Sequence, residues 1–264
     1  MLFKERFKND QPVIGSWINT ASPITAELMA TAGFDFLTVD VEHSAVDLVQ
    51  GQGLFQAIRS GNPACAPLVR LAGNVYAETK RYLDAGAVGV IAPFINTREQ
   101  AEELVRAVKY PPMGMRGVGF CRANSYGLDL KNAVATANEQ SFVCVQIEHV
   151  EAVANIDAIL AVDGVDAVMI GPYDLTASMG ITAQFDHPQM IAATRKVLAA
   201  CQKQGVIPGI HVVQPNPDEA LARYREGYRF IAYSLDITML LNSCVQGLGQ
   251  IRQHFPAVPS EDAA

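Results

Sequence analysis

Eight short apolar runs recur along the chain and are separated by longer, more polar stretches. The runs are almost continuously apolar and rich in β-branched residues, which is typical of parallel strands buried on both faces. They cover residues 13–17, 36–40, 66–70, 88–92, 142–147, 167–170, 206–210 and 230–233. Eight such βα units in a chain of this length predict an α/β fold, a (β/α)8 TIM barrel, rather than an open sheet.

The stretches between the runs predict helices with recognisable ends. Helical patterns cover residues 24–32, 75–85, 97–108, 129–138, 188–204 and 217–226. Asn74 is a candidate N-cap, and Thr97 with Gln100 forms a candidate capping box. Four segments have a glycine just before a predicted strand, which predicts left-handed helix C-caps. They are AGFDFLTVD, AGAVGVIAP, VDGVDAVMIG and EGYRFIAYS. We expect one barrel domain over residues 1–255, a loop-rich excursion over the barrel mouth between 93 and 141, and a disordered tail at 256–264.

Composition limits the class of protein. Half of the 264 residues are hydrophobic and 18% are charged, so the chain can form a large core. The net charge is −7 and the basic residues are scattered, which argues against a nucleic-acid partner. The five cysteines have no paired spacing, the first ten residues are polar, and no uninterrupted apolar stretch reaches membrane-spanning length. We therefore expect a cytoplasmic protein with reduced thiols and no membrane association.

Charged side chains follow the predicted strands, where barrel enzymes carry their chemistry. Glu148 directly follows one apolar run and Asp174 follows the next, so together they predict a divalent-cation site with oxygen ligands. Arg70 ends another run and suits recognition of a carboxylate. His43 lies three residues after Asp40 and suits a general base oriented by an acid. Taken singly, each carboxylate is equally consistent with a first-turn helix acid, and Arg70 with a structural ion pair.

Several other chemistries lack their sequence signatures. No Walker loop and no Gly-x-Gly-x-x-Gly segment follows a predicted strand, which argues against nucleotide binding. All seven lysines fall in helical or terminal segments, whereas a Schiff-base aldolase needs a lysine inside the barrel. A serine hydrolase would carry a Gly-x-Ser-x-Gly elbow, and none is found.

Four segments together form a highly specific sequence signature: VDVEH, YPPMGMRG, VQIE and GPYDL. With them, nearly the whole chain resembles the class II, metal-dependent pyruvate aldolases of the 4-hydroxy-2-oxoheptanedioate aldolase and 2-dehydro-3-deoxyglucarate aldolase family, within the wider aldolase/citrate lyase group. The resemblance implies a barrel of the phosphoenolpyruvate/pyruvate type whose last helix is domain-swapped. It also implies a homo-hexamer built as a trimer of dimers, and reversible cleavage of a 4-hydroxy-2-oxo acid to pyruvate and an aldehyde through an enolate.

The same resemblance implies roles for individual residues. Glu148 and Asp174 would hold Mg²⁺ or Mn²⁺, with Co²⁺ as a further option. Arg70 would face the 2-oxo oxygen and the enolate, while His43 would move protons with Asp40 and with Asp84 of a neighbouring subunit. The substrate-binding set would comprise Trp17, Arg70, Arg116, Gln146, Gly171, Pro172, Tyr173, Asp174 and Val212.

The chain departs from the family pattern at the end of the site expected to bind the aldehyde. Tyr173, His149 and Ser234 replace more usual residues, and GIHVVQPNP replaces a common apolar segment. Two alternatives remain beside the aldolase. A CoA-thioester lyase of the citrate lyase β or malyl-CoA lyase type would need a basic groove, and no suitable Lys/Arg cluster is evident. A non-catalytic barrel subunit would not be expected to keep the full set of charged strand-end residues.

Overall fold

Eight parallel strands close into a barrel in sequential order, with the last strand hydrogen-bonded to the first. The structure is a computed structural model that describes residues 3–255, so the predicted tail at 256–264 lies outside the described residues. The predicted (β/α)8 barrel is confirmed. The strands are β1 (Val13–Ile18), β2 (Phe36–Asp40), β3 (Ala66–Arg70), β4 (Gly89–Ala92), β5 (Phe142–Ile147), β6 (Ala167–Ile170), β7 (Ile207–Val212) and β8 (Phe230–Leu235).

Helices interleave with the strands, and a 3₁₀ helix, Phe3–Asn9, precedes β1. Further 3₁₀ structure lies at Arg122–Gly127. The α-helices are α1 (Pro23–Thr31), α2 (Leu48–Gly61), α3 (Tyr76–Ala85), α4 (Arg98–Val108), α5 (Leu130–Gln140), α6 (Val150–Ala154), α7 (Ile156–Leu160), α8 (Pro172–Ser178), α9 (Pro188–Gln204), α10 (Pro217–Glu226) and α11 (Asp236–Arg252). The sequence pattern does not predict α2, whose three glycines weaken helical propensity, or the short helices α6, α7 and α8.

Most of the predicted helix ends are found. Gln100 N donates to Thr97 Oγ1 over 3.3 Å, and Thr97 N donates to Gln100 Oε1 over 3.2 Å, so the capping box is confirmed. The four glycines before strands have φ angles from 98° to 119°. Gly86 and Gly227 are the C-cap residues of α3 and α10, and Gly33 directly follows the α1 C-cap, so these three predictions are confirmed. The prediction for Gly164 is wrong, because the C-cap of α7 is Ala161, three residues earlier. The predicted Asn74 cap is wrong. Val75 is the N-cap residue, and the Asn74 side chain instead donates to the Gln100 carbonyl over 2.9 Å.

Aromatic side chains fill the amino-terminal end of the barrel. Phe36, Phe142 and Phe230 are the first residues of their strands, and Phe3 of the leading 3₁₀ helix packs against all three with ring centroids 5.0–6.3 Å apart. A second, larger apolar layer lies between the strands and the helices. The apolar plug occupies one end of the barrel, which leaves the carboxyl end, the barrel mouth, for polar side chains.

The segment between α4 and β5 was expected over the barrel mouth, and this prediction is wrong. Both of its ends lie at the amino-terminal end of the barrel, because α4 runs down from the mouth and β5 starts there. Lys109 Nζ donates to the Ser141 carbonyl over 2.9 Å, and Arg116 N donates to the Lys109 carbonyl over 2.9 Å. The segment then packs along the outside of α3, where Tyr76 Oη donates to the Met115 carbonyl over 3.0 Å. No helix of the described chain is long and apolar enough to cross a membrane.

Candidate active site at the carboxyl ends of the strands

An Arg70–Asp40 ion pair forms the centre of the barrel mouth. Asp40 ends β2 and Arg70 ends β3, and the two residues are paired in register. Arg70 Nε and Nη2 donate to the two Asp40 oxygens over 2.8 and 2.6 Å. Burial alone would raise the pKa of Asp40, but the hydrogen bonds and charge of Arg70 and the backbone N–H groups of His43 and Glu42 lower it below its ordinary value. Asp40 therefore stays ionised and holds Arg70 in one orientation.

A second group of carboxylates lies beside this pair. Glu148 is 1% exposed, accepts a 2.6 Å hydrogen bond from Phe94 N, and is hydrogen-bonded by the Gln146 amide. Burial, with the nearby charges of Glu42 and Asp174, raises the pKa of Glu148 to about 7 against those two hydrogen bonds. Burial likewise raises the pKa of Glu42 to about 7, with Asp40 and Asp174 adding to the effect and Arg70 opposing it. Arg70 thus faces three carboxylates, those of Asp40, Glu42 and Glu148, and the site concentrates negative charge.

The donor set fits a hard divalent cation. Glu148 and Asp174 offer carboxylate oxygens, which Mg²⁺ and Mn²⁺ prefer, and Mg²⁺ typically uses only one or two protein carboxylates with water and substrate completing its shell. No cluster of three or more ligating side chains forms among residues 3–255. Glu42 Oε2 and Gln146 Oε1 are buried without a hydrogen-bond partner in this part of the chain. A Cβ at Gly171 would lie 3.0 Å from Glu148 Oε2, so the glycine keeps this space open.

His43 lies at the edge of the mouth rather than inside it. Its side chain is 59% exposed, and its Nε2 is 3.8 Å from Glu42 Oε2. The structure joins His43 to Asp40 through its backbone N–H, at 3.3 Å, whereas the sequence suggested an acid orienting the imidazole. The carboxylate within reach of the ring is Glu42. The solvent-facing position leaves the imidazole free to exchange protons with water or with a neighbouring molecule.

Aromatic and imidazole rings form the wall opposite the carboxylates. The Arg70 guanidinium lies over the Trp17 ring, 4.4 Å from its centroid, and the His211 ring lies 5.3 Å from Trp17 on another side. Burial and the charge of Arg70 lower the pKa of His211 to about 3, so its imidazole is neutral. Val212, a predicted substrate contact, packs in the layer between strands and helices, because successive strand residues face opposite sides and His211 takes the inward position.

The β6–α8 junction borders the mouth on the next side. Gly171 is the N-cap residue of α8, Pro172 opens the helix, and Asp174 lies in its first turn. Tyr173 is 40% exposed and packs edge-on against Phe185 with centroids 5.0 Å apart. A cavity of about 400 Å³ runs from Pro172, Tyr173 and His211 between α9 and α10. The predicted residues of β6 and α8 therefore lie together at the mouth.

Two of the predicted site residues lie at the opposite end of the same barrel. Asp84 is in the last turn of α3, which runs away from the mouth, and Arg116 Nη2 donates to Asp84 Oδ1 over 2.7 Å. Arg116 is 5% exposed and also stacks on Tyr110, with 4.7 Å from guanidinium carbon to ring centroid. Within one chain, Asp84 and Arg116 therefore pair with each other beside the last turn of α3, away from the mouth that holds His43 and Arg70.

Three residues of the candidate site, Glu42, Asn19 and Asp236, were given no role from the sequence. Glu42 reaches the carboxylate group through the turn after β2. Asn19 Nδ2 donates to Asp40 Oδ2 over 2.8 Å, and the buried Asp236 carboxylate accepts from the Asn19 and Thr20 backbone N–H groups over 3.0 Å each. The only sequence signal for them was their position just after apolar runs, which many capping residues share.

Comparisons with known proteins show the family to which the chain belongs. The model of the HpcH/HpaI aldolase/citrate lyase family matches residues 13–243. A hydroxypyruvate/pyruvate aldolase of Roseobacter denitrificans is 39% identical over 243 residues, which cover 91% of this chain and 93% of the relative. A 4-hydroxy-2-oxo-heptane-1,7-dioate aldolase of Escherichia coli is 38% identical over 241 residues, covering 90% of each. The crystal structure of a family protein from Burkholderia cenocepacia J2315 superposes with a TM-score of 0.89 at 36% identity, over 94% of this chain and 98% of that one. The chain therefore belongs to the HpcH/HpaI aldolase/citrate lyase family.

Proposed function

We propose that this protein is a divalent-metal-dependent aldolase that cleaves a 4-hydroxy-2-oxo acid reversibly to pyruvate and an aldehyde. The observation that carries the proposal is the juxtaposition at one barrel mouth of the fixed Arg70–Asp40 pair and the carboxylates Glu148, Glu42 and Asp174. The named relatives are aldolases, and they favour this reaction over the CoA-thioester lyase alternative. The name of the Roseobacter relative contains both hydroxypyruvate and pyruvate. Which substituent the oxo-acid donor of this chain carries depends on the geometry of its site.

Each side chain then has a task set by its position. Asp40 occupies Nε and Nη2 of Arg70, and Nη1 has no partner among the described residues, so it can donate to the 2-oxo oxygen. That donor favours the negative charge that develops on the oxygen when the C3–C4 bond breaks, because it is already oriented and lies in a partly buried site. His43 at the rim accepts the 4-hydroxyl proton, directly or through water, and returns a proton to the three-carbon fragment.

Glu148 and Asp174 would hold the cation, Mg²⁺ or Mn²⁺ and alternatively Co²⁺, which when bound supplies Lewis-acid polarisation of the 2-oxo acid. Gln146 would contact the substrate from beside Glu148. Backbone groups from Gly171 to Asp174 would receive the substrate carboxylate, with Pro172 and Tyr173 at their border. Trp17 would close the wall beneath Arg70.

We also propose that Asp84 and Arg116 act in a neighbouring subunit of a hexamer, a trimer of dimers with a swapped last helix. Helix α11 presents an exposed apolar face that a single chain leaves uncovered: Ile237, Leu240, Leu241, Val245, Leu248 and Ile251 are 46–66% exposed. A mixing experiment tests the arrangement. Refolding an inactive His43→Ala variant together with an inactive Asp84→Asn variant should partly restore activity, since some mixed sites then hold both native residues. No restoration would place both residues in one chain's site.

The free cysteines favour a cytoplasmic location.

Pyruvate release tests the reaction itself. A panel of 4-hydroxy-2-oxo acids would be offered to chelator-treated protein with and without Mn²⁺, and pyruvate would be followed with lactate dehydrogenase. We expect release only after metal is restored, and none from a Glu148→Gln variant under the same conditions. Folded, metal-loaded protein that releases no pyruvate from any member of the panel would contradict the proposal.

A further inference from the structure

The cavity beside the barrel mouth has no role in the mechanism proposed above. Its volume of about 400 Å³ is within the range of roughly 300–1,000 Å³ that is typical of small-molecule sites. Pro172 and Tyr173 line it, and in sequence they lie between Gly171, the N-cap residue of α8, and Asp174 in its first turn. The cavity therefore begins beside the backbone proposed to receive the substrate carboxylate and beside a proposed ligand of the cation.

Aromatic and aliphatic side chains line a large part of this cavity. Tyr173 and Phe185 both face it, and their rings pack edge-on with centroids 5.0 Å apart. Tyr173 is 40% exposed, so the pair leaves ring surface uncovered. Met190, Leu198 and Ile210 line the cavity between the helices and β7. A further aromatic ring packs favourably against such a pair, edge-on or offset-stacked, so these walls suit a flat apolar group.

The charged side chains around the cavity disfavour an anionic ligand. Two arginines and three carboxylates line it: Arg195, Arg223, Asp186, Glu219 and Glu226. Arg223 is already paired, at 3.3 Å from Glu219 and 3.2 Å from Glu226. Arg195 is exposed on α9, where water and salt screen its charge. A carboxylate that entered this space would lose hydration and meet an excess of negative charge, whereas an uncharged group would not.

We propose that this cavity receives the side group of the aldehyde, and that the preferred aldehyde is uncharged and aromatic. The aldehyde carbon must reach C3 of the pyruvate enolate near the cation, and Tyr173 is the neighbour of Asp174, so a side group directed along this wall enters the cavity. The name of the Escherichia coli relative describes a dioate, whose cleavage between C3 and C4 leaves a carboxylate on the aldehyde fragment. The charge around the cavity assigns this chain a different aldehyde. The inference rests on the proposed function.

Aldol addition to three aldehydes tests the assignment. Full-length protein loaded with Mn²⁺ would be given pyruvate with benzaldehyde, succinate semialdehyde or acetaldehyde, and the products would be measured by chromatography. In each addition C3 of pyruvate loses a proton and bonds to the aldehyde carbon, and the aldehyde oxygen gains a proton, so the product is the sum of the two reactants. We expect kcat/KM for benzaldehyde to exceed that for succinate semialdehyde at least about tenfold.

Variants of the cavity connect this preference to its walls. Leu198→Trp fills the space between the helices and should lower the benzaldehyde-to-acetaldehyde ratio of kcat/KM at least about tenfold. Leu221→Trp makes the same change at a half-exposed residue of α10 outside the lining, and the ratio should stay at the wild-type value. Tyr173→Ala removes one ring of the aromatic pair and should lower the ratio about fivefold, whereas Tyr173→Phe keeps the ring and should retain the ratio.

The outcomes separate this inference from the aldolase itself. Equal or more efficient addition to succinate semialdehyde would overturn the inference, and so would wild-type ratios in folded Leu198→Trp and Tyr173→Ala. In both cases addition to acetaldehyde would still show that the protein is an aldolase. Absence of addition to all three aldehydes, by folded and metal-loaded protein, would refute the proposed function and this inference with it.

Discussion

Replacing Glu148 with glutamine should abolish activity and yet stabilise the metal-free protein at pH 8. The carboxyl is buried, and burial together with Glu42 and Asp174 makes its ionised form unfavourable in the folded state. Glutamine can keep the 2.6 Å bond from Phe94 N by accepting at its carbonyl oxygen. Its new amide N–H can then donate to Gln146, because Gln146 Oε1 has no partner among the described residues and the amide can turn over to present it.

The size of the effect follows from the pKa. The folded-state pKa of Glu148 is about 7 against an ordinary value of 4.5. Below pH 4.5 the carboxyl is protonated in both the folded and unfolded states and costs nothing. As pH rises to 7 the unfolded chain loses its proton first, so folding stability falls, and above pH 7 the full cost of about 3 kcal/mol is present. For a chain of this size, removing that cost should raise Tm by roughly 6–12 °C.

Thermal unfolding in chelator at pH 8 and pH 5, at one protein concentration, measures this. Glu148→Gln should be clearly more stable than wild type at pH 8, and the difference should fall to roughly a quarter of that at pH 5, where most unfolded chains have already lost this proton. Glu151→Gln makes the same change at an exposed residue three positions on, and should alter stability by less than about 0.5 kcal/mol. Added Mn²⁺ should raise the Tm of wild type but not of Glu148→Gln. A Glu148→Gln variant that is destabilised at pH 8, or equally shifted at both pH values, would refute the reasoning.

Three further outcomes are expected. Arg70→Ala and His43→Ala should each lower kcat/KM by roughly two or more orders of magnitude with unchanged circular dichroism, and wild-type rates in both would contradict their roles. Gly171→Ala should weaken Mn²⁺ binding in calorimetry, because the added carbon would lie 3.0 Å from Glu148 Oε2; native affinity would show that this space is not needed. Thr97→Ala should reduce unfolding free energy by about 1 kcal/mol in urea without changing KM, and a larger loss would mean the capping box does more than end a helix.

The barrel and the position of its mouth could be predicted from the sequence. Apolar runs indicate the buried strands, and the charged residues that follow these runs indicate where the strands end. The orientation of side chains beyond a strand end could not. Asp40 Oδ1 accepts from the backbone N–H groups of both Glu42 and His43, over 3.1 and 3.3 Å, and this turn directs Glu42 toward Arg70 while His43 faces solvent. Apolar periodicity carries no signal for such a turn, so Glu42 was given no role in the site and His43 was expected beside Asp40.

The mouth also depends on carboxylates of the same chemical type having opposite pKa shifts. Asp40 is neutralised by Arg70, so its pKa lies below its ordinary value, and its two hydrogen bonds hold the guanidinium in place. Glu148 has no such partner among the described residues, and Glu42 lies 3.4 Å from the Arg70 Nε that already donates to Asp40, so burial raises the pKa of each to about 7, and a divalent cation would bind there in competition with protons. If arginine paired with Glu148 instead, the cation would lose its ligand and Asp40 would become the uncompensated charge. The in-register pairing of β2 with β3, which joins Asp40 to Arg70, is thus what keeps Glu148 on β5 available for the cation.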